Sequence, residues 1–92
     1  MSKSEAQIQK EILKFLRNLP QCRPFKIITA NERGVPDIIC CLKGRFICFE
    51  VKRTGAKPTQ LQDAQKERII YAGGQVYIVT SLEEVKNIIE RI

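Results

Sequence analysis

The sequence has no histidine and no tryptophan, and only one methionine. Without imidazole, no mixed Cys/His zinc site and no histidine general base can be built. The four cysteines, Cys22, Cys40, Cys41 and Cys48, match no zinc spacing. Three of them lie inside apolar strand-like runs, where a free thiol behaves as a small hydrophobe, so a reducing, intracellular setting is expected. Long apolar runs are also missing: none approaches the ~20 residues that cross a bilayer, so no membrane partner is expected. The start, Met1-Ser2-Lys3-Ser4-Glu5, runs straight into an amphipathic segment and does not read as a signal peptide. Repeats, low-complexity tracts and linkers are absent, which leaves one domain over residues 1–92. A domain this small buries only ~60–65% of its unfolded surface, so self-association is a natural source of stability.

Acidic residues are scarce beside basic ones. Ten Asp and Glu face sixteen Lys and Arg, for a formal charge of +6 and a pI near 9.4. That surplus favours polyanionic partners, because each cation placed on a phosphate releases counterions.

The pattern predicts α-β-β-β-α-β-α. Ile8, Ile12, Phe15, Leu16 and Leu19 share one side of a first helix, which Pro20 stops. Pro24 keeps the connection irregular, and Phe25 to Thr29 reads as a short strand. After the turn-rich Asn31–Pro36 loop come two apolar runs, Asp37 to Leu42 and Arg45 to Val51. Only Lys43-Gly44 separates them, a strong hairpin signal. Pro58 opens a helix that reaches about Ala72, with Leu61, Ala64, Ile69 and Ala72 as its buried stripe and Gly73-Gly74 as a left-handed cap. Gln75 to Val79 is a buried strand, and Thr80 or Ser81 caps a last helix. The first three strands form a meander, and the fourth joins through a helical crossover.

Counting outward from Lys43-Gly44 puts Asp37 opposite Glu50 on one sheet face, with Lys52 two residues further along it. Ile39, Cys41, Phe46 and Cys48 share that face nearer the turn, so it is apolar at one end and charged at the other. Two carboxylates this close repel unless a cation lies between them, and Mg²⁺ is held through one or two carboxylates plus waters and phosphates. Such an ion activates water and neutralises phosphate charge, while a neighbouring lysine can hold the water or stabilise the transition state. The plainer reading is a solvated Asp37 and an exposed Glu50/Lys52 strand end.

Val35-Pro36-Asp37 followed by Glu50-Val51-Lys52 resembles the PD-(D/E)XK nuclease motif. The whole chain resembles the stand-alone VRR-NUC (virus-type replication–repair nuclease) branch. Gly34-Val35-Pro36-Asp37-Ile38 matches its G-x-P-D-(I/L) segment, and Gln62 with Gly73-Gly74 is similar to its later glutamine-helix-glycine-glycine segment. The resemblance implies a restriction-endonuclease-like α-β-β-β-α-β core, with a mixed central sheet flanked by helices and a C-terminal helix. It implies a Mg²⁺- or Mn²⁺-dependent DNA endonuclease with no small-molecule cofactor. Asp37, Glu50, Lys52 and Gln62 are its catalytic set; Glu5, Asp37, Glu50 and the Val51 carbonyl are its metal ligands.

Glu5 also extends the inward stripe of the first helix, although Ser2 and Glu5 could instead form a capping box. Gln60 and Gln65 compete with Gln62 if the alignment slips. Neither a histidine nor a second lysine stands out as general base. Arg33, Arg53 and Lys57 fall at the same end of the sheet and could hold phosphates. Stand-alone members act as homodimers, which suits branched DNA such as four-way junctions, in the cytoplasm of a bacterial or phage-infected host cell. The rival readings are a non-catalytic nucleic-acid-binding module of the same fold and an interaction domain whose basic charge is incidental.

Overall fold

The computed structural model describes residues 3–92. Helix α1 spans Glu5–Arg17 and begins with a capping box built on Ser4, whose hydroxyl accepts from the Gln7 N–H while the Gln7 side chain accepts from the Ser4 N–H. Ser2, the alternative cap, lies outside the described residues. Ile8, Ile12, Leu13 and Leu16 bury the inner face of α1. Each such side chain contributes about 1.5–3 kcal/mol when fully withdrawn from water. The helix stops at Arg17, three residues before Pro20, and the Asn18 side chain donates to the Lys14 carbonyl at 2.8 Å.

Strands β1 (Cys22–Lys26), β2 (Ile38–Leu42) and β3 (Arg45–Val51) form an antiparallel meander. β1 starts and ends earlier than the Phe25–Thr29 expectation. Gln21, at φ 56°, turns the chain straight into the strand, and its carbonyl accepts from Lys43 N at 2.9 Å. Pro24 lies within β1 rather than breaking it. The bonded pairs Gln21–Lys43 and Ile27–Asp37 fix the alternation, which directs the missing N–H of Pro24 to the open sheet edge. Lys43 and Gly44, at φ 52° and 83°, make the two-residue turn.

Helix α2 (Gln60–Tyr71, capped by Thr59) crosses over to β4 (Gln75–Val79), which runs parallel to β3. Ser81 caps the last helix, α3 (Leu82–Glu90). The sheet order is β1-β2-β3-β4.

One face carries Ile38, Cys40, Leu42, Ile47, Phe49, Val51 and Val79 and is sealed by α1 and by Val85 of α3. Phe49 and Tyr77 stack there with ring centroids 6.0 Å apart. Burial pushes the Cys40 and Cys48 thiols up to about 12 and 11, consistent with their use as small apolar side chains. Cys41 differs, because it is exposed.

Helix α2 packs on the β4 side of the opposite face, and of the apolar stripe expected for that helix only Ala64 and Ile69 are half-buried. Leu61 is 51% exposed, Ala72 is exposed, and the buried α2 residue is Gln65. The helix packs chiefly on the edge strand β4, so it has no deep groove to fill with leucine and isoleucine. No described helix is long and apolar enough to cross a membrane.

Candidate active site

The site grows from the loop before β2. Gly34 has φ +83°, and a Cβ there would lie 2.5 Å from the Leu61 carbonyl oxygen. Only glycine lets this loop press against the first turn of α2. Buried Pro36 follows, and Asp37 emerges just before β2. The β2–β3 register pairs Ile38 with Phe49, which places Asp37 next to Glu50 in the order counted from the turn. Continued ladder pairing would next engage the Val51 N–H with the backbone of Pro36. The Asp37 carboxylate takes that N–H instead, at 2.7 Å.

Glu50 is 4% exposed, on the face beneath α2. Of the three candidate glutamines, Gln62 reaches it, donating from Nε2 to Glu50 Oε2 at 2.8 Å. The same side chain accepts from Thr59 N at 2.9 Å, so the cap of α2 and the carboxylate are held by one residue. Lys52 Nζ stands 3.7 Å from Glu50 Oε2. The other oxygen, Oε1, is buried and has no donor. Burial raises the Glu50 carboxyl to about 7, with the facing Asp37 charge adding to the rise and Lys52 opposing it.

Asp37, Glu50, Lys52 and Gln62 are thus brought together. Glu5 approaches from α1 but accepts from Arg53 N, at 3.1 Å. Among the described residues no group of three or more His, Cys, Asp or Glu side chains could by itself hold a metal ion, so Glu5 does not complete a three-carboxylate cluster. The Arg53 side chain lines a cleft with Lys3, Thr80 and Ser81, while Arg33 and Lys57 are exposed.

Lys66 escaped the sequence reading, and Gln65, which entered it only as a competitor of Gln62, serves a different contact. Lys66 lines the narrow crevice beside Glu50 and Gln62, where a second lysine had not been expected. Its signal was the four-residue spacing from Gln62, which puts both on one helix side. Gln65 donates to Glu32 Oε1 at 2.9 Å and to the Arg33 carbonyl at 3.1 Å, tying the loop before Asp37 to α2. Nothing in its sequence context distinguished it from a surface glutamine.

A mixed four-stranded sheet with Asp37, Glu50 and Lys52 gathered at one end defines a domain of the PD-(D/E)XK nuclease class. No family model matches the chain. The chain is 32% identical over 78 residues to "Putative nuclease p44" of Acyrthosiphon pisum secondary endosymbiont phage 1, covering 84% of this chain and 83% of that protein. Its fold also matches a solved structure described as a VRR_NUC domain, with a TM-score of 0.81, 28% identity and 94% of each chain covered. The chain belongs to the VRR-NUC nuclease family.

Proposed function

We propose that this protein is a DNA endonuclease that hydrolyses phosphodiester bonds with Mg²⁺ or Mn²⁺. The observation that carries the reading is Glu50: a buried carboxylate facing Asp37, with one oxygen left without a donor. Paired oxygen donors with no sulfur or imidazole beside them fit a hard divalent cation. Asp37 and Glu50 would hold the ion with the Val51 carbonyl as a further oxygen donor, and Glu5 would join them only by releasing the Arg53 N–H. When bound, it supplies charge neutralisation at the phosphate and an activated water.

Lys52 orients the attacking water and stabilises charge developing on the phosphate. Gln62 fixes the Glu50 carboxylate through one oxygen and leaves the other without a donor. Arg33, Arg53 and Lys57 hold flanking phosphates, which positions the strand without reading its sequence. Residues 1–92 act as one domain. A homodimer, with two sites for two strands, suits branched DNA such as four-way junctions. The cytoplasm of a bacterial or phage-infected host cell is the matching setting, and the phage relative supports it.

The test is cleavage of labelled single-stranded, duplex, flap and four-way-junction DNA with Mg²⁺, Mn²⁺ or EDTA. Asp37→Asn, Glu50→Gln and Lys52→Ala should each reduce cutting at least about 10²-fold with the fold retained. Metal-independent cutting, or cutting kept by all three variants, sinks the site. Tight binding with no cutting of any substrate would identify a non-catalytic module instead. Sedimentation at micromolar concentration tests the dimer, and a clean monomer removes it.

A further inference from the structure

The face that carries Asp37 and Glu50 continues across β2 and β1, with Phe46 beside Ile69 and Gly74 at the end of α2, Cys48 buried, and Phe25 furthest from the helix. Two rows cross these strands: Arg23–Cys41–Phe46 and Phe25–Ile39–Cys48. Phe25 is 52% exposed and Phe46 47% exposed, and the Arg23 guanidinium stands over the Phe25 ring, 5.5 Å from its centre. Strand spacing places the two rings about 12 Å apart, so each can take its own base. The segments that build this half-face, residues 21–28 and 38–49, contain no carboxylate; Arg23 projects from it and Lys43 stands at its turn, whereas Lys26 and Arg45, paired with Ile38 and Leu42, project to the other face.

We propose that this half-face is a platform for single-stranded nucleic acid. Unpaired bases stack on Phe25 and Phe46, while Arg23 and Lys43 at the turn hold the phosphates. Aromatic rings beside a guanidinium, on segments with no acid, suit bases, whose π-faces stack whatever the sequence. Charge argues against a second copy as the occupant, because two such faces would oppose cations to cations with no acid between them. Edge pairing through β1 is blocked too, since Pro24 turns a missing N–H to the open edge. That the strand comes from the active site rests on the nuclease reading, because both lie along one face; the stacking itself does not.

Binding is therefore measured without cutting, by anisotropy of a labelled oligothymidine and of a duplex of equal length, in EDTA. Phe25→Ala and Phe46→Ala should each weaken single-strand binding roughly tenfold and leave duplex binding within about twofold. Phe25→Tyr should bind like the wild type, and Arg23→Gln should flatten the salt dependence by about one charge. If Phe46→Ala fails to fold, Phe25→Ala and Arg23→Gln decide alone. No single-strand binding by the wild type, unchanged binding in the variants, or equal loss for duplex would overturn the platform. So would a dimer in sedimentation that Phe25→Ala converts to monomer. Metal-dependent cutting of duplex by the wild type, read in parallel, separates the two failures. Cutting with unchanged single-strand binding ends the platform alone, and phenylalanine-dependent binding without cutting ends the nuclease reading alone.

Discussion

Glu50 is an expensive residue to fold. Burial and the facing Asp37 raise its carboxyl from 4.5 to about 7, so the folded chain holds a proton there that the unfolded chain releases. A carboxyl raised on folding contributes stability that is fully present below about 4.5 and lost as pH rises through about 7. Without divalent ions, the protein should lose on the order of 2 kcal/mol from this group between pH 5 and pH 8. Glu50→Gln removes the titration and the buried charge together. Urea unfolding in EDTA should find Glu50→Gln more stable than the wild type at pH 8 and similar at pH 5. Added Mg²⁺ should then raise the wild type and leave the variant where it was. Parallel pH curves for the two proteins would mean that Glu50 is not the buried group. The trade is the one expected of a functional position, where stability is given up for a charge that a ligand later neutralises. A carboxyl shifted in the opposite direction lies in α3. Glu84 accepts from the Thr80 N–H and hydroxyl, which hold its carboxyl below the usual range, so its contribution persists at neutral pH and fades as the solution is acidified below about 4.

Between elements, the contact that matters most is α2 against the Asn31–Pro36 loop. Gly34→Ala puts a Cβ 2.5 Å from the Leu61 carbonyl at φ +83°, a clash with backbone in a conformation that side chains disfavour. Thermal unfolding should show a loss of more than about 2 kcal/mol, and cutting should fall with it because Asp37 follows the loop. Gln65→Leu leaves the Arg33 carbonyl and the Glu32 carboxylate without their donor, a cost of about 1–3 kcal/mol. The exchange Glu32→Gln with Gln65→Glu restores the side-chain bond and should recover part of that loss. A Gln65→Leu protein of full stability and activity would show that the tie is incidental. These elements also show what was legible beforehand. Lys43-Gly44 fixed the hairpin register through turn geometry, so the shared face of Asp37 and Glu50 could be counted from residues alone. β1 was placed too late because proline ordinarily breaks a ladder, and only the open edge excuses Pro24. The α2 stripe was misjudged for a related reason. Periodicity reports a helix well when a core faces it, and α2 faces mainly one edge strand and a polar tie. Gln65 and Lys66 depend on the docking of α2, which no local pattern encodes.

At the scale of the molecule, a radius of gyration of 12.5 Å is what one compact unit of this length should have, about 12 Å. Its charge is spread unevenly. Glu83, Glu84 and Glu90 outnumber Lys86 on α3, whereas residues 21–28 and 38–49 carry Arg23, Lys26, Lys43 and Arg45 with no carboxylate. A polyanion therefore meets a directional field, and the salt dependence of binding counts the cations it touches. If duplex is held by Arg33, Arg53 and Lys57, a protomer neutralises three phosphates. The slope of log K against log salt should then lie near −2.7. A homodimer that places both sites on one four-way junction should approach −5 on that substrate while keeping the smaller slope on a short duplex that fills one site. Arg53→Ala should lower either slope by about 0.9 per protomer engaged. Its cutting rate at saturating DNA should stay unchanged, because its role is to hold the strand rather than to act on the phosphate. Titrations from 50 to 300 mM salt, on both substrates in EDTA, separate these cases. Equal slopes on duplex and junction would mean that one protomer binds at a time, whatever the oligomeric state in solution. A slope near zero on both would mean that the net positive charge has no part in binding DNA.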